Sequence, residues 1–155
     1  MRKKYIPFIL ILFIISTITA CSKDEILDNY NNVIQNAGEY ELTGDSKLKG
    51  TRTYGVDSYV GTYKADYKDF SGIEYIFGGT SINRSNGNKI EIKCTSASKD
   101  GSVKLIFASG SNEPEVLCEF NKNNEYSDTI ELPDGRNYIG IECDGFSGNV
   151  DLIIK

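Results

Sequence analysis

The residues able to do chemistry in this 155-residue chain are carboxylates, thiols and phenols, because it contains no histidine and no tryptophan among 22 acidic and 17 basic residues. Ser-His-Asp and Cys-His hydrolase arrangements, histidine zinc sites and imidazole pH switches are thereby excluded. Cys94, Cys118 and Cys143 lie in phase with Ile92, Val116 and Ile141, so all three thiols should point inward. Two readings stand side by side: three core thiols, or one disulfide with a thiol left over, as an exported protein permits. No CxxC spacing exists, which leaves no zinc site.

Tyr54, Tyr59, Tyr63, Tyr67 and Tyr75 place half of the chain's ten tyrosines within 22 residues. Aromatic faces of this kind present flat, amphipathic rings to sugars, which makes Tyr59, Tyr63, Tyr67 and Tyr75 the candidate ligand-binding residues. Tyr59, Tyr63 and Tyr67 also share one parity with Gly61 and Ala65, and that describes the core face of a strand equally well. Asp100, Asp134, Asp144 and Asp151 offer oxygen-rich turns that would suit a structural calcium ion, yet the EF-hand spacing is absent and Asp-Gly is first a turn signal. Nothing in the sequence selects a catalytic pair from 22 acids. No phosphate-binding glycine loop opens a helix, so neither catalytic residues nor a cofactor are expected.

The elements that would carry these residues fall into three stretches. Residues 1–20 read as a secretory signal peptide: Arg2, Lys3 and Lys4, an apolar run from Tyr5 to Ile15, then small polar residues to Ala20. Only 16 residues separate Lys4 from Cys21, too few for a membrane span. Ile18-Thr19-Ala20-Cys21 resembles the lipobox of bacterial lipoproteins. That resemblance implies cleavage before Cys21, a diacylglyceryl group on its thiol, added acylation of the palmitate kind, and a place on the outer face of the cell membrane. Two or more acyl chains make such an anchor stable. Removal of residues 1–20 takes three basic residues and no acidic ones. Fourteen basic residues then face 22 acidic ones, a side-chain charge of −8 that gives no reason to expect nucleic acid.

Residues 21–39 form the tether. Ile26, Leu27, Tyr30, Val33 and Ile34 fall on one helical stripe, with Asp24 and Glu25 suited to the positive end of a short helix. From about Tyr40 to Lys155 the period becomes two. Eight or so short strands are expected, with reversals at Asp100-Gly101, Gly110 to Pro114, Asn121 to Asn124, Pro133-Asp134-Gly135 and Asp144 to Gly148. Strands with no helices between them predict an all-β, antiparallel β-sandwich of jelly-roll-like connectivity, preceded by that one short N-terminal helix. An orthogonal barrel is the alternative. Phe70-Ser71-Gly72 and Phe146-Ser147-Gly148 echo one another, which reads as reused turn chemistry.

The stretch 88–154, with its glycine hairpin, Leu-Pro-Asp-Gly turn and Tyr-Ile-Gly-Ile strand, resembles the C-terminal half of small lipoproteins of low-GC Gram-positive bacteria. The resemblance is one of strands and turns and implies no activity. The expectation is therefore a lipid-anchored, extracytoplasmic, non-catalytic binding or adaptor module. Glycan is its leading partner class. A structural or protein-interaction role in the cell envelope is the second reading, and a carboxylate-dependent hydrolase the third.

Overall fold

The computed structural model describes residues 42–81, 84–110, 112–120 and 123–155. The expected signal peptide, the expected lipidation site Cys21 and the expected N-terminal helix lie outside the described residues. Among the described residues, six antiparallel strands make one all-β sheet: β1 (Gly50–Tyr54), β2 (Gly61–Ser81), β3 (Lys89–Ser109), β4 (Glu115–Phe120), β5 (Asn123–Glu131) and β6 (Gly135–Ile154). The order is β1-β2-β6-β3-β4, and β5 pairs with the first half of β3 beside β4. Alternation builds the strands as expected: Ile90, Ile92 and Cys94 are buried while Glu91 and Lys93 face water.

The expected short strands are halves of longer ones. β2, β3 and β6 run for 21, 21 and 20 residues. Asp100-Gly101 and Asp144 to Gly148, which read as reversals in the sequence, are bends inside β3 and β6. An Asp-Gly pair reverses the chain when the following strand pairs with the preceding one. Here both halves of β3 pair with β6, so the left-handed residue only kinks a continuing strand. A Cβ at Gly101 (φ +70°) would sit 2.3 Å from the Gly145 carbonyl oxygen, so that approach of backbones requires glycine.

The Phe-Ser-Gly echo turns out to be the device that bends the sheet. Phe70 of β2 and Phe146 of β6 are register partners. The Asp69 N–H donates to Ser147 Oγ at 2.9 Å, and the Gly145 N–H donates to Ser71 Oγ at 2.8 Å. Asp69 (φ 48°) and Gly145 (φ 57°) occupy equivalent left-handed positions. The ring of Phe70 lies against Gly72, and that of Phe146 against Gly148. One four-residue motif is thus used twice, face to face, across neighbouring strands. Space around Gly145 is open, so Gly145→Ala should cost only the left-handed backbone, about 1–2 kcal/mol. Asp69→Gly, which relieves one such position and adds chain entropy, should stay within about 0.5 kcal/mol of the parent. Urea unfolding of both variants checks this; equal losses would show that the two positions are not equivalent.

Beyond the bend the two halves of each long strand turn toward each other. Tyr63 and Glu74 are 11 residues apart on β2, about 36 Å along a straight strand. Yet the Tyr63 hydroxyl donates to Glu74 Oε2 at 2.9 Å. Inward side chains of both halves merge into one core, with Tyr63, Cys94, Leu152 and Phe146 from one side and around the bend, and Phe77, Val103, Leu105 and Ile141 from the other. Cys94 and Cys143 are buried, Cys118 is half-buried, and all three are free thiols.

Candidate functional site

The four tyrosines picked out in the sequence do not form one surface. Tyr59, Tyr63 and Tyr67 are core residues, 1%, 0% and 5% exposed, so the expected sugar-facing platform is corrected: their shared parity is that of the buried face. A buried phenol needs a partner for its hydroxyl, and β2 supplies one. The Tyr63 and Tyr67 hydroxyls both reach Glu74 Oε2, at 2.9 and 2.5 Å, while the Lys49 N–H donates to Oε1 at 2.7 Å. The rings of Phe70 and Phe146 flank Tyr67 at 5.5 and 5.4 Å. Burial pushes the Tyr63 and Tyr67 phenols far above the usual tyrosine range, reinforced at Tyr67 by the adjacent Glu74. Glu74, itself 2% exposed, is a carboxylate fully committed to the core.

Tyr59 packs beneath the Arg84 guanidinium, 4.9 Å from its ring. Arg84 in turn donates through Nε and Nη2 to Asp57 Oδ2, at 3.1 and 2.6 Å, tying the loop after β2 to the β1–β2 hairpin. Tyr75 alone points to the opposite face. It is half-buried, leans over Gly140 of β6, and meets Tyr138 at 5.7 Å and 58°. Ile106, Tyr138 and Leu42 are likewise buried without belonging to the main core.

The exposed surface with polar groups in an ordered array is the outer face formed by β1, the first halves of β2 and β3, the second half of β6, and β5. Strand register sets it out. Thr51, Lys64, Asp151, Thr95 and Glu125 form one row across β1, β2, β6, β3 and β5. Thr53, Thr62, Ile153, Lys93 and Ser127 form the next row, and Asp66, Asn149 and Ala97 flank the first row on its other side. Those of β2 and β6 are the outward alternates of the buried Tyr63, Ala65, Val150 and Leu152. At the centre lies a shallow depression of about 240 Å³ lined by Lys64, Ala65, Asp66, Asn149, Val150 and Asp151.

No family model matches this chain, and no curated protein does. Among solved structures, a family 29 carbohydrate-binding module, CBM29_1, from Piromyces equi matches at 16% identity over 69% of this chain and 74% of that chain, with a TM-score of 0.31. A likeness so slight carries no argument about the ligand.

What the depression can do follows from its groups. Lys64 brings an ammonium donor, Asp66 and Asp151 bring acceptors, and the Asn149 amide brings both. Lys64 Nζ and Asp151 Oδ2 are 2.5 Å apart, with side chains 70% and 37% exposed. A pair so open to water holds little energy and gives way readily to a ligand. A second pair, Lys93 with Glu125 at 2.7 Å, closes the β5 side. The acidic turn residues do not converge: Asp100 and Asp144 sit at the bend, Asp134 in the β5–β6 turn, and Asp151 on this face. Among the described residues no three carboxylates or thiols gather as metal ligands. Lys64, Asp66 and Asn149 escaped sequence reasoning, and Asp151 stood out only as an acidic turn residue, because Lys, Asp and Asn at outward positions look like an ordinary solvated face. Only cross-strand register, which pairs Lys64 with Asp151 and Asp66 with Asn149, more than 80 positions apart, makes them one site.

Proposed function

We propose that this chain is a lipid-anchored, extracytoplasmic, non-catalytic binding module. Its body is a β-sandwich of jelly-roll-like connectivity made by folding one sheet over itself. Its ligand is a glycan, held by hydrogen bonds on the outer face around Lys64, Asp66, Asn149 and Asp151. The observation that carries the reading is the mixed set of donors and acceptors in one depression on a rigid sheet, which is the chemistry that sugar hydroxyls require. Glu74, a carboxylate buried among phenols, is saturated by its three donors and closed from solvent, which leaves it a structural rather than an acid–base role. Burial of Tyr59, Tyr63 and Tyr67 favours a second reading, a protein-interaction or structural role in the envelope, because it removes the aromatic platform.

Glycan-array binding of the chain from Ser22 onward separates these readings. Lys64→Ala and Asn149→Ala should each weaken binding about tenfold, the loss of one hydrogen bond worth about 1.4 kcal/mol. A parent chain that binds no glycan would leave the protein-interaction reading. Cell fractionation addresses the anchor: Cys21→Ala should leave the membrane fraction, and full retention of that variant would refute lipidation.

A further inference from the structure

We propose that β5 is an open edge that receives a cationic, extended segment of a partner protein as one more strand of the sheet. Neither the glycan nor the anchor is needed for it. β5 pairs with β3 along one side, and among the described residues no strand pairs with its other side. Register shows which backbone groups are left over. Glu91 of β3 exchanges both backbone bonds with Lys155, at 2.9 Å each, on the β6 side, so Ile90, Ile92 and Cys94 turn their own N–H and carbonyl groups toward β5. Their partners Ile130, Asp128 and Tyr126 use theirs on β3. Glu125, Ser127, Thr129 and Glu131 therefore direct theirs out of the sheet.

A row of such groups is what an added strand pairs with, and little closes it here. The Thr129 N–H is met by Oδ1 of its neighbour Asp128 at 2.7 Å, an acceptor open to water that an incoming carbonyl can replace. Side chains alternate along the same edge. Ser127, Thr129 and Glu131 are exposed on the outer face, while Tyr126 and Ile130 are half-buried against the rim of the core. The segment that fits alternates too: apolar side chains extend the core beyond Tyr126 and Ile130, and charged ones stay in water beside Glu125 and Glu131.

Charge identifies the occupant. Residues 113–134 carry Glu113, Glu115 and Glu119 around β4, then Glu125, Asp128, Glu131 and Asp134 along and just after β5, against Lys122 as the one basic residue. β4 borders the second half of β3 on the side away from β6, as β5 borders the first, so these carboxylates share one edge of the sheet. Among the described residues, Glu125 alone of them has a basic partner, Lys93. Such an edge attracts lysine and arginine and repels acidic chains. A second copy brings the same acids on its own β5, and its β1 edge turns Arg52 inward to the Ile76 carbonyl at 2.9 Å. Residues 22–41 of this chain set Asp24, Glu25, Asp28, Glu39 and Glu41 against Lys23. Neither supplies the cations, and a lysine-rich segment of another protein does.

A fluorescein-labelled peptide of alternating lysine and valine, matched to the 9 residues of β5, is titrated with the full chain and followed by anisotropy. It should bind, and its counterpart N-methylated at every residue, with the same charge and no backbone donor, should bind about tenfold more weakly. Ser127→Pro removes an outward N–H and no bond to β3, and should weaken the unmethylated peptide by about the same factor. Glu131→Lys should weaken it several-fold and flatten its salt dependence. Equal affinity of the two peptides for the parent chain would leave only a diffuse acidic surface and overturn strand addition, and that comparison holds even if Ser127→Pro fails to fold. A parent that binds neither peptide would overturn it as well. Sedimentation gives the remaining outcome: a parent dimer that Ser127→Pro splits would put a second copy on the edge and overturn the foreign segment.

Discussion

Glu74→Ala is expected to lower the stability of the fold by about 3–5 kcal/mol in urea unfolding, a loss at the upper end for any single polar substitution. The carboxylate accepts from two phenols and one backbone N–H within the core, and its removal strands the Lys49 donor and takes from the Tyr63 and Tyr67 hydroxyls the acceptor they share, 3.2 Å from one another. Unpaired buried donors cost about 1–3 kcal/mol each. Tyr67→Phe removes a single charge-assisted bond and should cost about 1.5–3 kcal/mol. The double variant should lose less than the two single losses added together, by about 1–3 kcal/mol, because the interaction is already gone in either single variant. A Glu74→Ala chain within about 1 kcal/mol of the parent would mean that water replaces the carboxylate and that the cluster does not hold the halves of β2 together.

That cluster marks where sequence reasoning stopped. Period-two alternation in Ile90 to Cys94 and Val150 to Ile154 is local, and so the all-β, antiparallel class was legible. The true turn at Pro133-Asp134-Gly135 was legible for the same reason, since proline and glycine constrain their own dihedrals. Continuity through Asp100-Gly101 and Asp144 to Gly148 was not, because a left-handed residue gives the same local signal in a hairpin and in a bulge. Pairing of both halves of β3 with β6, between 28 and 62 residues away, decides between them. Phe70 to Gly72 and Phe146 to Gly148 were visible as an echo, but their meaning lies in being register partners. The tyrosines were ambiguous on parity alone. What settles Tyr63 and Tyr67 is the position of one acceptor, Glu74, brought opposite them only because β2 folds back on itself.

Alkaline solution should unfold this protein well before its backbone chemistry fails. Burial is the first cause that raises the Cys94 and Cys143 thiols from 9.0 to about 12, with nearby carboxylates and Cys118 adding to it. A folded pKa above the unfolded one means that the native state keeps the proton longer. Its contribution is complete below pH 9, is lost as pH rises from about 9, and is gone above about 12. At pH 10.5 the loss is about 2 kcal/mol per thiol, or about 4 kcal/mol for both, a large part of a small domain's stability. The buried phenols of Tyr59, Tyr63 and Tyr67, raised first by desolvation, push in the same direction. Urea unfolding at pH 8 and 10.5 measures the sum, and replacing Cys94 and Cys143 together with alanine isolates the thiols. The double variant starts lower at pH 8, because it leaves two small cavities, but should lose about 4 kcal/mol less between the two pH values. An identical pH-dependent loss in parent and variant would show that the thiols ionise within the fold as easily as outside it, and that neither is enclosed as the packing of β3 and β6 requires.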